Sequence, residues 1–160
     1  MDKIAANNHF VTMRKEIKKA KAMVCGNLVR KINKCKQERD RTQDEDKHKK
    51  LDRRISNLHD EIKLLKTLDA YTIAKAATLK HEPEYWAKLV SHPKASIQER
   101  LTGRVVTKNN VQKQIHTFRS GHIDCDEWLE QYIEFREKKK ELKKPKRVGS
   151  GAGKRTSYHV

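Results

Sequence analysis

Cysteine, proline, glycine and aromatic residues are all scarce in this 160-residue sequence. The three cysteines, at positions 25, 35 and 125, make an odd count with no CxxC pair, which suggests neither a disulfide framework nor a zinc ribbon. Cys25 and Cys35 are better explained as small apolar side chains on one helix. His122 and Cys125 form a lone HxxC with His116 nearby; a zinc site needs two further ligands, so solvated histidines and a reduced thiol are expected. No apolar run approaches the ~18 residues of a spanning helix, and a membrane partner is not expected. Met1 to Asn8 lacks the charged-then-apolar pattern of a secretory signal, so residence inside the cell is expected. No segment alternates as a strand would, and no serine or cysteine has a placed base, so neither catalysis nor a cofactor nor a small-molecule substrate is expected.

Charge is what the sequence has in abundance. Charged residues make up 37% against 35% hydrophobic, and 38 bases against 21 acids leave a formal charge of +17. Such an excess points to a polyanionic partner, with nucleic acid ahead of an acidic protein and an anionic membrane third. So thin an apolar fraction has to be drawn out along helices.

One stretch organises the rest. Between Phe10 and Cys35 the apolar residues Phe10, Met13, Ile17, Ala20, Val24, Leu28, Ile32 and Cys35 step by three or four, the spacing of a single seam along an α-helix. Leu51, Ile55, Leu58, Ile62 and Leu65 repeat the pattern. Pairing Cys35 with Leu51, Ile32 with Ile55, Leu28 with Leu58, Val24 with Ile62 and Ala20 with Leu65 gives number sums of 85 to 87, so one antiparallel register satisfies all five. The competing reading is a dimeric coiled coil, which the same spacing permits. The turn is expected near Gln43, with Thr42 and Glu45 at capping-box spacing for the second helix. Asn7 or Asn8 is expected to cap the first.

From Asp69 the pattern shortens. Asp69 is expected to cap a helix through Leu79; Pro83 starts a short one with Tyr85, Trp86, Leu89 and Val90, and Pro93 stops it. Ser96 and Glu99 open a helix carrying Ile97, Leu101 and Val105 on one side. Asn109 or Asn110 begins another with Val111, Ile115 and Phe118, stopped at Gly121. The last runs from Asp124 to about Lys144, with Trp128, Leu129, Tyr132, Ile133 and Phe135 inward and Pro145 as its stop. The expected fold is all-α: a long antiparallel, coiled-coil-like hairpin over 1–68, shorter helices over 69–144, and a flexible basic tail over 145–160. Burial along one seam does not offset the entropy of ordering such a hairpin. The short helices are therefore expected to pack on its open end near Ile17 and Leu68.

Two basic features stand out. Residues 1 to 41 carry 12 bases and 4 acids, whereas 42 to 68 carry 7 and 6, so the first arm is the basic one. Arg14, Lys15, Lys18, Lys19 and Lys21 are expected to form a phosphate-binding stripe away from the seam, interrupted by Glu16 alone. Few aromatic residues accompany them, which argues for contact with phosphate and shape rather than base reading. Near the end, Lys143, Lys144, Lys146 and Arg147, with Lys140 upstream, match a nuclear import signal around a proline. The GSGAGKRT that follows is not a phosphate loop. Val148 stands where its first glycine belongs and Arg155 where Ser or Thr should follow the lysine.

The order of several short matches resembles one family. Asn8 with Met13, Arg14, Lys15, Glu16, Ile17 and Lys18, then Leu28, Val29 and Arg30, then Glu61, Ile62, Leu65, Lys66 and Leu68, are similar to the N-terminal region of the serum response factor-binding protein and bud site selection protein 22 family. The likeness continues through Lys75, Leu79, Pro93, Glu99, Arg100, Leu101, Arg104 and Val105, and covers about residues 7 to 115. It implies a nuclear, largely nucleolar protein of small-subunit pre-ribosomes and ribosomal RNA maturation, with pre-ribosomal RNA and assembly proteins as partners. In animals it also implies a transcription cofactor role through serum response factor. Relatives run on through a charged region to a short C-terminal motif that is not found before Val160, so a short form or fragment is expected.

Overall fold

The computed structural model describes the backbone of residues 1–158 and the side chains of residues 1–142. The described residues form seven helices, an all-α fold built on one spine. That spine, α1 (Lys3–Arg41), has 39 residues and at 1.5 Å per residue is about 58 Å long. It begins a turn earlier than Asn7 or Asn8 would place it, because the Asp2 carboxylate accepts from Ala5 N at 3.0 Å. The extra turn is stabilised by burial of Ala6 and His9, which prolong the seam. All eight expected seam residues are buried, none more than 6% exposed.

The second arm is α2 (Glu45–Thr67). Thr42 is not its cap. Thr42 closes α1, its N–H donating to Glu38 O at 3.2 Å, and Asp44 caps α2 by accepting from Asp46 N at 3.0 Å. A carboxylate suits that position because the helix N-terminus is electropositive. Ile55, Leu58, Leu65 and Leu68 are buried, with Leu51 and Ile62 partly covered. Polar ties hold both ends of the pair: Arg39 to Asp52 at 2.8 Å near the tip, and Lys21 Nζ to Leu68 O at 2.6 Å at the base. Their number sums, 91 and 89, agree with one antiparallel register, so the seam is closed by the chain's own helices.

Four shorter helices and the last helix, α7 (Cys125–Tyr158), gather at the open end. These are α3 (Ala70–Leu79), α4 (Pro83–Ser91), α5 (Ile97–Val106) and α6 (Asn109–Gly121). Asp69 caps α3 by accepting from Thr72 N and Oγ1, both at 2.9 Å. Ser96 and Glu99 complete both arms of a capping box on α5, each at 3.1 Å. The α4–α5 crossing is close because Gly103 has no side chain: a Cβ there would lie 2.8 Å from Trp86 O. Trp86, Leu101, Ile115 and Trp128 are buried as the packing argument requires, but Ile97 is 53% exposed and points away from the core. It sits in the first turn of α5, beyond the reach of the spine.

Helix α6 lies antiparallel along the start of α1. Asn110 donates to Glu16, Gln114 to His9 Nδ1, and Phe118 stacks on His9 with centroids 4.1 Å apart. Helix α7 (Cys125–Tyr158) runs past Pro145, the expected stop, as far as Tyr158, inside the segment 145–160 where a flexible tail is expected; residues 159 and 160 lie outside the described residues. The import cluster Lys143, Lys144, Lys146 and Arg147 lies outside the described side chains. Tyr132 of α7 stacks over Phe10, while Phe135, expected inward, is 49% exposed. The bundle turns Phe135 onto its rim because Leu129, Tyr132 and Ile133 already fill the inner face.

Candidate nucleic-acid interface

The five bases expected to act as one stripe are divided by the packing. Arg14, Lys15 and Lys18 are exposed and enter no ion pair among the described residues. Lys19 lies 3.3 Å from the Glu16 carboxylate with 69% of its side chain exposed. So exposed a pair contributes little, and Lys19 is free to exchange Glu16 for another anion. Lys21 is different. Half-buried, it donates to Leu68 O at the C-cap of α2, and loss of hydration there lowers its pKa. It holds the hairpin's base rather than presenting a free ammonium group.

Arg14 opens onto a groove of about 460 Å³ that α1 forms with α3 and α7. From α7 come Phe135, Arg136, Lys139 and Lys140; from α3 comes Tyr71. Arg136 lies 4.9 Å from the Tyr71 ring centroid, and Lys75 Nζ lies 4.8 Å from it. Lys3 Nζ stands 4.7 Å from the Phe135 centroid. Aromatic rings flanked by cations are what an unpaired base needs for stacking beside its phosphates. Burial raises the pKa of the Tyr71 phenol, whose hydroxyl is buried without a hydrogen-bond partner among the described residues.

The acids at this groove are already occupied. Asp69 is committed to capping α3; its carboxyl is held below the usual range first by the Thr72 backbone N–H and then by the Thr72 hydroxyl, with Arg14 and Lys140 adding to the effect. Glu137 is paired with Lys75. Four bases, Arg14, Arg136, Lys139 and Lys140, therefore face the groove against two carboxylates with partners of their own. The net field favours an anion.

His122 and Cys125 take packing positions. His122 Nδ1 lies 3.0 Å from Phe118 O, and Cys125 is 1% exposed, its thiol pKa raised by burial. No helix among the described residues is long and apolar enough to cross a membrane.

No protein-family model, curated protein or solved structure matches this chain. The groove was not assembled from the sequence, although part of its signal is there. Tyr132, Phe135, Arg136, Lys139 and Lys140 recur at helical spacing, rings giving way to bases along one side of α7. Nothing local tells which helix that side meets.

Proposed function

We propose that this chain is a non-catalytic RNA-binding factor of the nucleus, chiefly the nucleolus, acting in small-subunit ribosomal RNA processing and pre-ribosome assembly. The observation that carries RNA binding is the groove itself: Arg14, Arg136, Lys139 and Lys140 share it with the rings of Tyr71, Tyr132 and Phe135 while the neighbouring carboxylates are engaged elsewhere. Phosphates would meet the bases, and an unpaired base would lie against Phe135. The exposed Lys15 and Lys18 extend the positive field along α1. The cellular setting rests on the family resemblance and on the basic cluster at 143–147.

Crosslinking of the tagged protein in cells, followed by sequencing of bound RNA and identification of bound proteins, tests this reading. Enrichment of pre-ribosomal RNA and small-subunit assembly proteins is expected. A Phe135→Ala, Arg136→Gln variant should lose most of the RNA crosslinks while keeping its helix content, since Phe135 is exposed and stacking contributes about 1–3 kcal/mol per base. RNA recovery at background, with serum response factor co-purifying instead, would overturn it in favour of a transcription cofactor.

A further inference from the structure

A second positive surface lies at the far end of the hairpin, remote from the groove. Two adjoining depressions there, of about 540 and 270 Å³, share Glu38 and Leu51 and so form one continuous channel along a single edge of the α1–α2 pair. Lys31, Lys34 and Arg41 line it from α1; Lys47, Lys50 and Arg54 line it from α2. Glu38 is the only acid in the lining among the described residues. All six bases are exposed, and none enters an ion pair among the described residues. Of the other acids of the tip, Asp44 caps α2, Asp52 pairs with Arg39 at 2.8 Å and Asp40 lies 3.9 Å from the same guanidinium, while Glu45 and Asp46, in the first turn of α2, stand outside the channel lining.

The row on α1 spans ten residues, roughly 15 Å, and helix axes pack 8–10 Å apart, so the channel offers two facing rows of cations about that far from each other. Its floor is Cys35 and the partly covered Leu51, and among the described residues no aromatic ring lines it. Cations without rings engage phosphate and shape rather than unstacked bases, which is how double-helical RNA is held. We propose that the hairpin tip is a docking surface for the phosphate backbone of a double-helical RNA segment, separate from the groove that receives unpaired RNA. The inference rests on the RNA-binding reading above and adds a second contact of a different class. At about 100° per residue, Lys34 and Arg41 project about 140–180° around α1 from Arg14 and Lys18, and Lys31 about 100–140°. One straight duplex therefore does not lie on both surfaces. The hairpin becomes an arm about 30 Å long between a duplex and a single strand.

The experiment measures binding of the full chain to a labelled 20-base-pair RNA duplex and to a 20-nucleotide oligouridine over a range of salt. Three variants are compared with the parent: Lys31→Gln with Lys34→Gln, Lys47→Gln and Lys50→Gln; Glu38→Gln; and Arg14→Gln with Arg136→Gln. The quadruple variant should lose at least tenfold in duplex affinity, and its slope of log affinity against log salt should flatten by about three to four. Oligouridine affinity should stay within twofold. Glu38→Gln should strengthen duplex binding at least twofold, a gain that misfolding does not produce. The Arg14, Arg136 pair should show the reverse selectivity. Duplex affinity within twofold of the parent in both tip variants would overturn the tip surface while leaving the groove standing. Failure of the parent to bind either RNA would overturn both.

Discussion

His9 and Thr78 are the two polar side chains in the buried core among the described residues, and they hydrogen-bond to each other at 3.0 Å. Thr78 Oγ1 donates its own proton to Ala74 O at 2.7 Å, so it accepts from His9 Nε2–H. Gln114 Nε2 donates to His9 Nδ1 at 3.2 Å, which satisfies the second ring nitrogen and fixes the neutral tautomer. One pair thus joins α1, α3 and α6 at the centre of the bundle.

That arrangement has a pH signature. Burial first, then the neighbouring Arg119 and His122 charges, lowers the His9 pKa from 6.5 to about 4. Because the folded state binds its proton more weakly than the unfolded chain, the His9 contribution is fully present above pH 6.5 and is lost as pH falls toward 4. Urea melts should show the parent losing about 2 kcal/mol more than a His9→Phe variant between pH 7.5 and pH 5. Parallel stability curves for the two proteins would contradict a neutral buried His9.

The α4–α5 crossing is set by a missing side chain. Gly103→Ala places a Cβ 2.8 Å from Trp86 O and 3.1 Å from Val90 Cγ2. The helices must then separate, at a cost of about 1–3 kcal/mol that outweighs the helix propensity gained. Gly121→Ala meets nothing within 4 Å and should be neutral or stabilising by several tenths of a kcal/mol. Thermal melts of the two variants should therefore shift apart.

Lys21 and its neighbours should separate into stability and affinity effects. Lys21→Met removes the donor to Leu68 O and should cost about 1 kcal/mol in a denaturant melt. Its effect on oligouridine binding should be small. Changing Arg14, Lys15 and Lys18 together to Gln should leave the melt in place and flatten the salt slope of oligouridine binding by about two to three. A single-strand salt slope that Lys21→Met lowers as much as the triple variant would show that Lys21 does reach phosphate.

The basic cluster after α7's described side chains has a cellular readout. Alanine at Lys143, Lys144, Lys146 and Arg147 should move a bulky fluorescent fusion from the nucleus to the cytoplasm without changing the circular dichroism spectrum. Undiminished nuclear fluorescence would show that import uses another segment.

Period and charge in the sequence were enough to place seven helices, the seam from Phe10 to Cys35 and the antiparallel pairing of α1 with α2, because these are repeating local properties that a linear chain displays directly; the start of α1 and the end of α7, read as Pro145, were not among them. Caps were legible where donor and acceptor are three residues apart, as at Ser96 and Glu99. They were misplaced where two candidates compete, as with Thr42 and Asp44. What only the tertiary structure decided is which bases are free and what lies beside them. Lys21 looks like its neighbours in sequence and is withdrawn by a carbonyl 47 residues away. Phe135 fits an inward face until Leu129, Tyr132 and Ile133 fill it, and it then becomes the exposed ring beside Arg136. The tip channel needs two helices side by side before six scattered bases share one edge. Helix periodicity gives each residue an angle about its own axis, but a site depends on the angle between axes, which is fixed by packing at distant points such as Gly103 against Trp86.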